Sequence, residues 1–346
     1  MMLDRNRWLS RSCRLSVARR LAVNGTRFVS GTALAAGNSP NNGDPELPVA
    51  SAIPLKVSAI GLAVLAFIAI LNMAPLASAQ TQETDAAGGQ RWAVILVGLP
   101  GDESHADLFR ETADAWQTWL TESCDIPREQ VLRLPRRTQE NEAAAPALTS
   151  DAIRTAITEL NQKLKPNDSL WVFTLGHGNY DGKQAWFHLA GKDPSAEDFG
   201  RWFSEVRCRE QVIWLTQSNA GWFVKPLSRP GRIVIAATAA DDESNETEFP
   251  HALATVVQSP AAMLDTDQDE KVSVAELFTA VVREVSRRFQ NDKRLPTEHA
   301  QLDDNGDGQG TEDLAPASNP IPTAKLDGAL AKKIFVPLKK KEQTVP

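Results

Sequence analysis

From Arg91 the chain reads RWAVILVG, an apolar run closed by Gly98, Pro100 and Gly101, and this pattern predicts a strand buried on both faces. Phe109, Ala113, Trp116 and Leu120 then recur at helical spacing, which predicts a helix over 106–120. A short strand, QVLRLP at 130–135, precedes a helix capped by Ser150 that carries Ile153, Ile157, Leu160 and Leu164 and stops at Pro166 and Asn167. The third strand, SLWVFTLG at 169–176, runs directly into His177 and Gly178, and AWFHLAG at 185–191 reads as a small strand leaving the same loop. After a helix through Phe199, Trp202 and Val206, the strands QVIWLTQ and GRIVIAAT end at Ser218 and Thr238. A last helix, Ser273 to Phe289, presents Leu277, Phe278, Val281 and Val285 on one face, suited to packing on the sheet.

Strands alternating with helices predict an α/β fold with a mostly parallel central sheet and helices on both faces. In such sheets chemistry gathers beyond the carboxyl ends of the strands, so His177, Ser218 and the stretch 239–246 are expected to converge. A histidine between glycines can bring its imidazole close to a substrate, and as a general base it needs a hydroxyl or thiol within reach. Ser218, at the end of the next strand, is the candidate. The plainer alternative is that His177 bonds loop backbone and Ser218 caps a turn.

The order WAVILVG, LGHG, a strand ending in a small nucleophile before Ala220 and Gly221, then RIVIAATAADDESNE, resembles the legumain and caspase family of cysteine peptidases, including its bacterial exported members. The resemblance covers roughly 90–290 and implies a caspase-like three-layer sandwich. His177 and Gly178 match the family's catalytic histidine and its glycine. Ser218 falls where the nucleophilic cysteine belongs, Thr216 where an acid is expected, and Ala220 where a serine is expected; Gly221 is retained. The resemblance also implies oxyanion donors from the backbone N–H groups of Gly178 and Ser218. It points to the loops holding Gly101–Asp107 and Ala239–Asn245 as the substrate pocket, with His105, Thr216, Thr238 and Asp241 as candidate contacts. Asp241, Asp242 and Glu243 would favour a basic side chain or form a solvated turn. A serine hydroxyl has a far higher pKa than a thiol, so a site shaped for sulfur, without an evident carboxylate orienting His177, is expected to be weakly reactive. The expectation is a degenerate peptidase homologue that binds a peptide or protein. Its rivals are an active peptidase or acyl hydrolase using Ser218 with His177, and a calcium-stabilised structural protein.

Calcium enters through Asp265, Asp267, Asp269, Ser273 and Glu276, which occupy positions 1, 3, 5, 9 and 12 of a calcium-loop pattern. Glu270 replaces the glycine usual at position 6, and the same residues also read as an acidic helix N-terminus. A second stretch, Asp303 to Gly308, begins alike but has Leu314 at position 12, and reads as a weak cation site or an Asx-rich turn.

The segment 57–73, VSAIGLAVLAFIAILNM, is uncharged and is followed by Ala77, Ser78 and Ala79 before Gln80. This reads as a signal peptide over 57–79, or else as an uncleaved anchor, and places the rest outside the cytoplasm in either case, exported to a periplasmic or extracellular space. Residues 1–56 read as a disordered basic extension, 80–90 as a linker, 91–290 as the folded domain, and 291–346 as an acidic loop and tail. The 346 residues are 42% hydrophobic and 23% charged, which suits one core-building domain with appendages. A net charge of −7 gives no global attraction for phosphate backbones, so nucleic acid is not an expected partner, and a membrane would be met only through the N-terminal segment. Cys13, Cys124 and Cys208 are too few and too far apart for a zinc knuckle; Cys124 and Cys208 either pair or stand as half-buried thiols, and both are expected at the sheet edge opposite Ser218.

Overall fold

The computed structural model describes residues 89–136, 146–314 and 326–338, all within the unit Ser78–Pro346. The leader, the signal peptide or anchor, Cys13 and most of the linker lie outside the described residues. Among the described residues, no helix is long and apolar enough to cross a membrane.

The elements are β1 (Arg91–Val97), α1 (Glu103–Thr118), β2 (Val131–Leu134), α2 (Ser150–Lys163), β3 (Ser169–Leu175), β4 (Gly178–Tyr180), β5 (Ala185–Phe187), α3 (Ala196–Ser204), β6 (Glu210–Leu215), β7 (Arg232–Ala236), α4 (Phe249–Val256), α5 (Val274–Asn291) and β8 (Gln301–Asp303). A six-stranded sheet runs in the order β2-β1-β3-β6-β7-β8, and β4 pairs with β5 in a separate hairpin. Every neighbouring pair of the large sheet is parallel except β7 and β8, which run antiparallel. The fold is a mixed α/β three-layer arrangement, as the alternation of strands and helices predicts.

Alternate residues of each strand feed the two faces. Ile95, Phe173, Trp214 and Ile235 join α1, α4 and α5 in one core. Val94, Val172, Ile213 and Val234 join α2 and α3 in the other. Phe173 sits among Trp116, Trp119, Trp171 and Trp214 with ring centroids 5.6–6.4 Å apart. Pairs of this kind add roughly 0.5–1.5 kcal/mol each beyond the area they bury.

Helix starts are fixed by side chains that accept orphan N–H groups. Asp102 receives His105 N, and capping boxes join Ser195 to Asp198 and Ser273 to Glu276. The cap of α2 is Thr149 rather than Ser150.

One expectation is corrected. Residues 291–346 are not merely loop and tail: β8 extends the sheet, and Ala331, Ile334 and Val336 are buried in the core of α5. Val274 N donates to Ile334 O and Val336 N to Val272 O, so this C-terminal segment braces the start of α5. Cys124 and Cys208 do not pair; they lie against opposite faces of the sheet, and burial pushes both thiols above their ordinary range, Cys208 to about 11. The stretch after β8 is a turn: Asp303 accepts from Gly306 N and Gly308 N, and Asn305 from Asp307 N.

Candidate functional site

β3 and β6 are adjacent parallel strands, so His177 and Ser218 leave the sheet side by side at its carboxyl edge. Between them the backbone is tightly closed. A Cβ built on Gly178 would meet Ser218 O at 2.6 Å and Trp186 O at 2.9 Å. Gly221 serves the same purpose one step on, since a Cβ there would stand 2.3 Å from Ala239 C. The glycine that carried part of the family resemblance is thus required by the approach of the loops after β6 and β7.

His177 Nε2 lies 3.1 Å from Pro100 O. A carbonyl only accepts, so Nε2 carries a proton, and in the neutral imidazole Nδ1 then holds the lone pair. The ring is further held by Phe109 and His105, with centroids 5.3 and 5.4 Å away. The group orienting His177 is therefore a backbone carbonyl of the loop after β1. Among the described residues no hydrogen bond joins Ser218 Oγ to His177, and Ser218 is 5% exposed. The amides on either side of it, Gln217 Nε2 and Asn219 Nδ2, are buried without a partner. Asn219 takes φ of +56°, a conformation asparagine tolerates better than most side chains. Unsatisfied donors and a left-handed residue around one serine are costs that a fold concentrates at functional positions.

His105 occupies the first turn of α1. Its Nδ1 is 2.8 Å from Asp102 Oδ1, although poorly aligned for a hydrogen bond, and its Nε2 is 3.1 Å from the Glu246 carboxylate. Asp102 first, then Glu246, raise the imidazole pKa against the opposing effect of burial. Asp102 is in turn held well below the usual carboxylate range, chiefly by the His105 backbone N–H and the Ser104 hydroxyl. Two turns along α1 from His105, His251 pairs with Thr112 Oγ1 at 2.9 Å, and burial brings its pKa down to about 4.

Thr216 and Thr238, expected as substrate contacts, are fully buried. Thr216 Oγ1 donates to Thr174 O, and Thr238 Oγ1 accepts from Gly221 N. Strand-end side chains that point into the sheet layer cannot line a crevice; these two tie β6 to β3 and β7. Asp241 is exposed and accepts from Glu243 N, which is the geometry of a solvated turn. Glu243 behaves differently. Its Oε2 accepts from Ala239 N at 2.8 Å and His299 N at 3.0 Å, its Oε1 meets His299 Nδ1, and its own carbonyl accepts from Asn219 N at 3.2 Å. This buried carboxylate fixes the turn after Ser218. Sequence reasoning read it as one of three surface acids.

In the acidic loop, carboxylate oxygens of Asp265, Asp267 and Asp269 come within 4.8 Å of one another. Glu270 adopts φ of +66°, so the backbone takes the turn that glycine usually makes there. Glu276 is not among these converging carboxylates. Glu276 Oε2 accepts from Ser273 N and Oγ, while Oε1 accepts from Thr266 N at 2.7 Å. They close the helix start.

No family model matches the sequence, and no curated protein matches it. Among solved structures the chain is similar to a protein of Geobacter sulfurreducens, with 12% identity over 62% of this chain and 92% of that chain at a TM-score of 0.39. It is also similar to caspase-1 from Spodoptera frugiperda, with 11% identity over 62% and 88% at 0.40, and to drICE, with 8% identity over 62% and 87% at 0.36.

Proposed function

We propose that this chain is a degenerate homologue of the legumain and caspase peptidases, with Ser218 in the place of the nucleophilic cysteine, that holds a peptide or protein segment at the carboxyl edge of its sheet. The observation that carries the reading is the relation of His177 to Ser218. The two leave neighbouring parallel strands, Gly178 is packed on Ser218 O, and the imidazole is anchored on Pro100 O, yet Oγ makes no bond to it. A serine needs an aligned base to become a nucleophile, whereas a thiol beside an imidazole ionises far more readily. The arrangement keeps the histidine and withholds the alignment, which favours binding over turnover.

An active serine enzyme is the second reading, and the lone pair on His177 Nδ1 is what favours it. A fluorophosphonate probe that labels Ser218, with labelling lost in His177→Ala, would establish it. Replacing Ser218 by cysteine tests the first reading: peptidase activity that appears in S218C and vanishes in S218C/H177A is the expected result. A folded S218C chain that cleaves no peptide library would remove the peptidase ancestry of the site.

Export belongs to the same reading and rests on the apolar run 57–73 and the small residues before Gln80. N-terminal sequencing of the mature chain tests it, with Gln80 as the expected first residue if the segment is cleaved. Calcium at Asp265, Asp267 and Asp269 is the one cofactor proposed with it.

A further inference from the structure

At the carboxyl edge of the sheet three potential ligands come together, of which the peptidase reading uses His177 and assigns no role to Glu246. One ring nitrogen each of His105 and His177 and a carboxylate oxygen of Glu246 all lie within 4.8 Å of one another. His105 comes from the first turn of α1, His177 from the end of β3, and Glu246 from the loop after β7. We propose that His105, His177 and Glu246 form a three-ligand site for a divalent transition ion of the zinc class. The inference shares His177 with the peptidase reading but requires nothing of Ser218.

The donor set selects the ion. Calcium and magnesium take oxygen ligands almost exclusively, whereas two imidazoles with one carboxylate suit zinc and its neighbours. Three protein ligands with a fourth position open to water is the usual form of a reactive zinc site. Zinc–nitrogen and zinc–oxygen bonds of about 2.0–2.2 Å place tetrahedral ligand atoms about 3.3 Å apart. His105 Nε2 and Glu246 already stand at 3.1 Å, so the remaining separations need to close by no more than about 1.5 Å.

The partners behind the ligands fit as well. A ligating imidazole is usually oriented by an acceptor on its other nitrogen. His105 Nδ1 stands 2.8 Å from Asp102 Oδ1, a contact that needs a small rotation of the ring to become a hydrogen bond, and its Nε2 faces Glu246; His177 gives its Nε2–H to Pro100 O, which leaves Nδ1. The positive end of α1 opposes a cation beside His105, and the carboxylates of Asp102 and Glu246 offset it. Glu246 is exposed and the two histidines are half-buried, so an ion has a path from solvent. Bound metal would take the His177 lone pair that activation of Ser218 requires. The crevice would then be a metal-gated site, or one whose chemistry belongs to the ion.

The test is zinc chloride titration of the chelator-stripped full chain by calorimetry, with cobalt substitution as a spectroscopic check. One zinc per chain at this site is expected, with affinity at least tenfold weaker in His105→Asn and in Glu246→Gln. A cobalt visible band of tetrahedral intensity should be lost in the double variant. Glu246 is exposed, so Glu246→Gln is expected to keep the fold, and an unchanged circular dichroism spectrum separates loss of binding from failure to fold. Zinc binding absent from the parent chain would overturn the proposal. So would affinity unchanged in both variants, or reduced only in Asp265→Asn/Asp269→Asn, which would assign the ion to the acidic loop. The activity of S218C measured in chelator is independent of every one of these results.

Discussion

Gly178 rests on the carbonyl oxygen of Ser218, 2.6 Å from where its Cβ would be, and this single approach sets the spacing between the histidine loop and the serine turn. Both obstacles to a larger residue, Ser218 O and Trp186 O, are backbone atoms with no rotamer to change. Gly178→Ala therefore has to push the β4–β5 hairpin off the end of β6. A loss of about 1–3 kcal/mol in urea unfolding is expected. In a cysteine-restored background, the same change should abolish turnover. Retained turnover in that variant would dissociate the spacing from function.

The strands and long helices were legible because each is reported by the period of its own apolar residues: 91–98 was expected and Arg91–Val97 is found, and 273–289 became Val274–Asn291. What failed to show has no period. α4, FPHALATV, is apolar on nearly every side, and β8 has only three residues. Asp304 helps to hold the C-terminal segment, accepting from Gly328 N, Leu330 N and Ala331 N, a contact no local pattern announces. At the site, strand ends fixed which residues arrive together, so His177 and Ser218 could be named. Side-chain direction at those ends has no signal in residue spacing, so Thr216 and Thr238 read as crevice residues and Glu243 as one acid of a basic-residue pocket or a solvated turn. The approach of His105 to His177 depends on the path of two loops, which residue spacing does not encode.

Glu243 should be the costliest surface-looking acid to replace. Its side chain satisfies Ala239 N, His299 N and His299 Nδ1 while it is itself only 9% exposed. Glu243→Ala leaves two backbone donors unpaired inside the fold, each costing about 1–3 kcal/mol, so a total near 2–4 kcal/mol is expected. Asp242→Ala, one residue away and exposed, should cost less than about 0.5 kcal/mol. Denaturant melts of the pair decide whether the acidic turn is structural support or solvated charge.

Calcium binding is predicted to act through three carboxylates rather than five ligands. Asp265, Asp267 and Asp269 converge, while Ser273 and Glu276 spend their oxygens on the cap of α5. Saturating calcium should raise the melting temperature by a few degrees, and Asp267→Asn should remove the shift. Glu276→Gln should lower the melting temperature with or without calcium, because it weakens the capping box. A calcium response lost only in Glu276→Gln would restore the full loop as the ligand set.

Glu298 makes stability depend on pH in a direction opposite to ordinary carboxylates. Burial, with the nearby charges of Glu248 and Glu243, raises its pKa from 4.5 to about 8, against the lowering effects of the Glu248 backbone N–H and Arg294. In the unfolded chain the carboxyl loses its proton near its ordinary value, so between about 4.5 and 8 the folded state holds one proton more than the unfolded state. The stability from this group is complete below that window and is lost as pH rises through it, at up to about 1.4 kcal/mol per pH unit. Glu298→Gln keeps an acceptor for Glu248 N and removes the titration. Urea melts between pH 5 and pH 9 should show the parent losing stability relative to the variant as pH rises. Parallel curves would mean that the Glu298 carboxyl titrates alike in both states.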